Sequence, residues 1–201
     1  MPSNPKIPKE LILETALSML IRDGYKSINI KAVAKELHCS TQPISWQFGG
    51  MDGFRAELTE AAMRYVNQKI APSAKNFVAS FEQIGEAYVD IAIDEPNLFR
   101  FIFMGESGRT VNGGLLSLLN YDRNVKIQQG LSEILQITPE QAGTFINTMV
   151  IYTHGIASLI AAGVVKEEKE TAHKMVRSTG ITFLEALGIS NEKAEVFLNN
   201  E

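Results

Sequence analysis

Cysteine is nearly absent from this chain of 201 residues, where Cys39 stands alone. That excludes an internal disulfide framework and any zinc site built on several cysteines, and it fits a reducing compartment. Histidine is scarce as well: His38, His154 and His173 lie far apart in the sequence. Strand patterning is missing. No apolar–polar alternation is long enough for a half-buried strand, and Asn112-Gly113 sits in a glycine-rich stretch rather than between two apolar runs. HExxH, P-loop and GxSxG motifs are absent, Gly105-Glu106-Ser107-Gly108 falling one residue short of the last. No carboxylate pair stands out from the solvated acids, so catalysis is not expected. The first residues, MPSNPKIPKE, carry no apolar core of a secretory signal, and a cytoplasmic protein is expected.

Charge is modest. The net charge of −4 with 45% hydrophobic residues describes a folded chain rather than a disordered one. It is unevenly spread: residues 1–50 carry a net +2 and the remainder −6. A polyanion would therefore meet the first fifty residues. One long apolar run, Met149–Val165, raises the question of a membrane. His154 lies near its middle with Thr153, Gly155 and Ser158 close by, so a buried helix is expected instead and no membrane partner.

What the chain does have is helical spacing, and the fold class expected is all-α. Ile12, Ala16, Met19 and Leu20 share a face, and Gly24 ends that helix. Ile30, Val33, Ala34 and Leu37 share another. Phe54, Leu58, Ala61 and Tyr65 line a fourth helix ended by Pro72; Phe77, Phe81, Ile84, Tyr88 and Ile91 line a fifth, closed by Glu95-Pro96. A short apolar helix over 98–104 is followed by a glycine-rich loop over 105–114 and a helix around 116–136. Thr138-Pro139-Glu140-Gln141 is a helix start, with an N-cap Thr, Pro at N1 and a capping-box Gln. The helix it opens runs to about 165, another covers about 167–187, and a short last piece spans 191–199. The Lys166–Glu170 run reads as a solvated helix start.

Residues 30–48, IKAVAKELHCSTQPISWQF, carry the chemistry. After the helix 30–37, a turn of His38-Cys39-Ser40 needs a left-handed residue, and His38 is the candidate. Ser40 is expected to cap the next helix, with Pro43 in its first turn. That helix has only Ile44 and Phe48 as apolar positions; its other face shows Thr41, Gln42, Ser45 and Trp46. An uncharged polar face of this kind suits a major groove. Gln bonds adenine at N6 and N7, Ser and Thr reach base edges or phosphates, and a helix N-terminus favours phosphate. Lys31 is placed to touch the backbone, and Lys6 and Lys9 could form a basic arm. The segment reads as a helix-turn-helix. A plain helical hairpin, with Trp46 packed on a neighbour, fits the spacing too.

At these residues the chain resembles the tetracycline-repressor family of regulators. The similarity covers 9–58 without a gap: a first helix ending in Gly24-Tyr25, Val33-Ala34 in the second, a short third helix closed by Phe48, and Phe54 opening the fourth. Glu95-Pro96-Asn97-Leu98-Phe99 and His154-Gly155 are similar to one subgroup of that family's C-terminal bodies. The resemblance implies a helix-turn-helix, three-helix DNA-binding head (1–50) and an all-helical ligand-binding and dimerisation body (51–201). Thr41, Gln42 and Ser45 would read bases; Lys31, Ser40, Trp46 and Gln47 would join them at the DNA, mostly on its backbone. The chain departs from the family at His38, where the turn usually holds Gly; at Ser45, where Tyr is frequent; and at Met51, where Lys usually follows. Backbone N–H groups of Gly49-Gly50 are a possible substitute for that phosphate contact.

The resemblance also implies a small-molecule effector in the body and no cofactor. Candidate lining residues are Tyr88, Phe103, Tyr121, Tyr152 and His154, with Phe99, Met104 and Asn147 beside them. Aromatics at helical spacing serve equally as core, and His154 is either a satisfied core histidine or a polar anchor. The mix suggests a hydrophobic or aromatic ligand. The last two long helices are rich in small residues (Ala161, Ala162, Gly163, Ala172, Gly180), and the family pairs them in a homodimer. The expected function is a ligand-responsive repressor acting as a homodimer on a palindromic double-stranded DNA operator. The other reading is a helical adaptor that binds proteins and has lost specific DNA binding.

Overall fold

The computed structural model describes residues 7–71, 77–108 and 121–198, with backbone alone at 77–80 and 121–127. Among the described residues all regular structure is helical, as the spacing predicts: α1 (Lys9–Asp23), a 3-10 turn (Tyr25–Ser27), α2 (Ile30–Glu36), α3 (Gln42–Phe48), α4 (Met51–Ile70), α5 (Phe77–Asp94), α6 (Pro96–Phe103), α7 (Tyr121–Leu135), α8 (Pro139–Ala161), α9 (Lys169–Ala186) and α10 (Asn191–Leu198). Lys6, Pro72 and most of the glycine-rich loop lie outside the described residues.

Packing groups these helices into two compact units, Met1–Gln68 with Glu95–Arg109, and Lys69–Asp94 with Thr110–Glu201. The expected boundary at residue 50 follows the helix-turn-helix segment, whereas the first unit also takes in nearly all of α4 and the whole of α6.

In the first unit α1 buries Ile12, Ala16, Met19 and Leu20, and the Gly24 N–H closes its end on the Leu20 carbonyl at 2.9 Å. Gly24 has φ +82°, a conformation that costs glycine little. α6 buries Leu98, Phe99, Phe101 and Ile102, and the rings of Tyr25 and Phe101 lie 4.8 Å apart. α4 keeps Phe54 and Leu58 inside as expected. Ala61 and Tyr65 are only half-buried, because the stripe continues at four-residue steps through Ala62 and Val66.

In the second unit α5 packs against α8, α9 and α10, and α7 packs against α8. α8 opens with the capping box read from the sequence. The Gln141 N–H donates to Thr138 Oγ1 (3.2 Å) and the Thr138 N–H to Gln141 Oε1 (2.9 Å). Among the described residues α8 alone is long and apolar enough to cross a membrane by length and composition. It buries Ala142, Phe145, Ile146, Met149, Thr153, Ala157 and Ala161 while Asn147, Ile151, Gly155 and Leu159 are exposed, so one face serves the core and the other does not. The short last piece forms α10, whose Ala194, Phe197 and Leu198 are buried.

An ion ladder joins α5 to α9. Carboxylates recur every four residues on α5 (Glu82, Glu86, Asp90, Asp94), as do cationic or protonatable groups on α9 (Lys169, His173, Arg177). The helices run antiparallel, so Lys169 meets Asp94 (2.5 Å) and Asp90 (3.4 Å). His173 meets Asp90 (2.9 Å) and Glu86 (3.6 Å), and Arg177 meets Glu86 (3.2 Å) and Glu82. The Asp94 carboxylate raises the Lys169 ammonium pKa above its usual value. The Lys166–Glu170 run, expected to be purely solvated, therefore sends one of its lysines into this ladder.

Candidate nucleic-acid interface and ligand cavity

α2 begins at Asn29, whose side chain accepts from the Ala32 N–H at 2.9 Å, and buries Val33 and Ala34. His38 takes φ +51°, so the turn residue picked from the sequence is the one that turns left-handed. The cap of the next helix is shifted from expectation. Thr41, not Ser40, is the N-cap, and it has helical φ and ψ with no side-chain cap bond. A cap acts through extended backbone geometry that aims its oxygen at the first amides. The helical backbone of Thr41 removes that geometry, and Pro43 removes one of the amides.

α3 hangs from its apolar side. Ile44 and Phe48 are buried, and Phe48 meets Phe54 edge-on at 5.2 Å between ring centres. Burying side chains of this size stabilises by about 1.5–3 kcal/mol each. Thr41, Gln42, Ser45 and Trp46 face outward, Trp46 being 80% exposed. Lys31 is exposed on α2, and Ser40 is exposed beside the turn. Gln47 does something else: half-buried, it donates from Nε2 to the Ile7 carbonyl at 3.0 Å and ties α3 to the start of the chain.

Two expectations are corrected here. Lys9 is no free arm: its ammonium lies 2.6 Å from Glu57 and 5.0 Å from the centre of the Phe48 ring. The amides of Gly49 and Gly50 are not open to phosphate either, because both donate to the Ser45 carbonyl and close α3. Gly53 was not foreseen. A Cβ there would sit 1.9 Å from the Phe48 carbonyl oxygen, so only glycine lets α4 start this close to the end of α3. A glycine within a helix-forming run was the available signal.

The second unit holds a cavity of about 100 Å³. Its walls come from α5 (Phe81, Ile84, Tyr88, Val89), α8 (Ile146, Met149, Thr153), α9 (Val176) and Leu198 of α10; Glu82, Glu86, His173 and Arg177 form one edge. Of the ligand residues read from the sequence, only Tyr88 lines it. His154 stands behind, with Nδ1 2.8 Å from the Tyr88 hydroxyl and Nε2 3.2 Å from Ser158 Oγ. Burial raises the Tyr88 phenol pKa far above its usual value and lowers that of His154 below 6.5. The phenol thus keeps its proton, and Tyr88, His154 and Ser158 form one hydrogen-bonded chain whose donor order follows the imidazole tautomer. Tyr152 on α8 is half-buried and off the lining, and Asn147 is exposed. Phe99, Phe103 and Met104 belong to the first unit, where the rings of Phe99 and Phe103 lie 5.1 Å apart. Tyr121 opens α7, and its side chain lies outside the described residues. Among the described residues no group of three His, Cys, Asp or Glu is arranged to hold a metal. No protein-family model matches the chain, and no curated protein does.

Proposed function

We propose that this chain is a ligand-responsive, sequence-specific transcriptional repressor of the cytoplasm, a homodimer that binds a palindromic double-stranded DNA operator. The outward face of α3 carries the reading. Thr41, Gln42, Ser45 and Trp46 are exposed together on a short helix anchored by Ile44 and Phe48, behind a left-handed turn. Thr41, Gln42 and Ser45 donate and accept without net charge, which is what discrimination among base edges needs, and the indole of Trp46 adds a donor. Exposed lysines on α2, Lys31 and Lys35, supply the attraction to phosphate that fixes register. The resemblance of 9–58 to the tetracycline-repressor head points the same way.

A palindrome calls for a twofold dimer. The exposed side of α8, with Ile151 and Leu159, and Met175 on α9 offer apolar surface for one. Binding in the second unit would change the affinity of the heads for DNA only through a ligand that prefers one of two states.

The test is fluorescence anisotropy with duplex from the region upstream of the gene and with scrambled duplex, at about 0.15 M salt, where specific complexes fall near 10⁻⁸–10⁻¹¹ M. Specific binding of one dimer per palindrome is expected. Equal weak binding to both duplexes, followed by failure of a random-sequence selection, overturns the proposal. One observation favours a second reading, a protein-binding adaptor: Trp46 is exposed, and Trp is among the residues enriched at the energetic centres of protein interfaces. Salt separates the two, since DNA binding must weaken steeply as salt rises.

A further inference from the structure

The cavity of the second unit leaves two hydrogen-bond donors unused. Thr153 is buried, 7% exposed, and lines the cavity. Five helical threonines elsewhere in the chain, Thr15, Thr59, Thr144, Thr148 and Thr182, satisfy their hydroxyls by donating to the carbonyl four residues back. Thr153 has no hydrogen-bond partner among the described residues. The second donor is Arg177 Nε–H, which is buried and unpartnered although Nη2 of the same guanidinium holds Glu82 and Glu86. Buried polar groups without partners are rare and expensive. Here both donors border one partly open cavity.

We propose that this cavity is a binding site for a small neutral molecule with a compact apolar body and one hydrogen-bond acceptor oxygen, such as a ketone, held by Thr153 Oγ–H and Arg177 Nε–H. Size sets the first limit. An apolar cavity of about 150 Å³ accommodates benzene, so about 100 Å³ takes a single small ring or a short branched chain. The walls set the second: Phe81, Ile84, Val89, Ile146, Met149 and Val176 present only carbon and sulfur. Charge sets the third. A cation would have to displace Arg177 from Glu82 and Glu86, while an anion would face those two carboxylates. Both ions would also lose their hydration. His173 faces Glu86 and Asp90 and leaves no spare cation at this edge. This ligand class narrows the hydrophobic or aromatic one expected from the sequence by size and by its single acceptor oxygen.

In its regulatory meaning the inference rests on the function proposed above. Its test uses no DNA, so the two can fail separately. The full-length chain is titrated in methyl-resolved NMR with cyclopentanone, cyclopentane, cyclopentylammonium and cyclopentanecarboxylate. Cyclopentanone is expected to shift the methyl signals of Met149, Ile146 and Leu198 and to bind tightest of the four. Thr153→Val is expected to weaken cyclopentanone about five- to tenfold, the loss of one hydrogen bond, and to leave cyclopentane unchanged. The variant removes only an unpartnered hydroxyl, and the four-ligand series on the unaltered chain decides the ligand class without it. Absence of shifts at those methyls with cyclopentanone, tighter binding of either ion, or equal cyclopentanone affinity in Thr153→Val overturns the proposal. A chain that binds cyclopentanone but no operator keeps this site and loses the repressor; the reverse keeps the repressor and loses this site.

Discussion

Asn97 of α6 closes the end of α1: its side-chain amide donates to the carbonyl of Ile21 at 2.9 Å and to that of Arg22 at 3.2 Å. The last carbonyls of a helix have no partner within it. Asn97 supplies one from 76 residues away, and Arg100 holds the amide oxygen at 2.5 Å and so fixes which way the amide faces. Asn97→Ala is expected to lower stability by about 1–2 kcal/mol, the cost of leaving a partly buried carbonyl unmatched. Asn97→Asp should cost more, since a carboxylate would face two carbonyl oxygens. Urea midpoints measure both. Equal midpoints for all three chains would show that water replaces the amide without loss.

The junction of α3 and α4 gives a sharper case. Gly53 lies where any Cβ would overlap the Phe48 carbonyl oxygen at 1.9 Å. That atom is backbone and cannot rotate away. Gly53→Ala is therefore expected to destabilise by about 3 kcal/mol or more, despite the helix propensity of about 1 kcal/mol that alanine adds elsewhere. Gly85, in mid-α5, has nothing within 4 Å of its Cβ position, so Gly85→Ala should stabilise. Opposite signs in the two melting temperatures are the outcome sought. A stabilised Gly53→Ala would rule out the close approach.

Local rules carried the sequence reading where the cause was local. Thr138 and Gln141 cap α8 because the capping box needs only four neighbouring residues. His38 turns left-handed because, of the three residues in the turn, it is the type that visits positive φ most readily. Ser40 was misplaced by one residue, since cap geometry depends on the φ and ψ of Thr41 rather than on side-chain type. The cavity lining was mostly missed. Four-residue spacing of Glu82, Glu86, Asp90 and Asp94, and of Lys169, His173 and Arg177, is plain in the sequence. That the two stripes face each other depends on an antiparallel pairing of helices about ninety residues apart, which periodicity does not encode. Thr153 likewise drew no notice beyond its place in an apolar run, because an unpartnered hydroxyl is visible only once its neighbours are placed.

His154 makes stability depend on pH. Burial lowers its pKa below 6.5, so on acidification the unfolded chain takes up this proton first. The contribution is complete above the unfolded value and is lost as pH falls through the folded one. Protonation also makes both ring nitrogens donors, so neither can accept from the Tyr88 hydroxyl 2.8 Å away or from Ser158. His154→Gln keeps a polar side chain without that titration. The melting temperature is expected to fall more steeply for the unaltered chain than for His154→Gln between about pH 7.5 and pH 5. Comparing the two slopes cancels the other titrating groups. Parallel slopes would mean that His154 titrates alike in both states.

Gln42 and Trp46 share the exposed face of α3 but are expected to fail differently. A glutamine amide bonds adenine at two atoms, so Gln42→Ala should cost about 1–3 kcal/mol at one base pair and relax preference there alone. Trp46 is expected to contact the sugar-phosphate backbone, so Trp46→Ala should weaken every duplex by a similar factor and leave the order of preference unchanged. Anisotropy against the operator and its single-base variants separates these outcomes. If Gln42→Ala weakens all duplexes alike, base reading passes to Thr41 and Ser45. If Trp46→Ala leaves DNA binding untouched but abolishes capture of a protein partner, the indole belongs to an adaptor surface and the backbone contact falls to other residues.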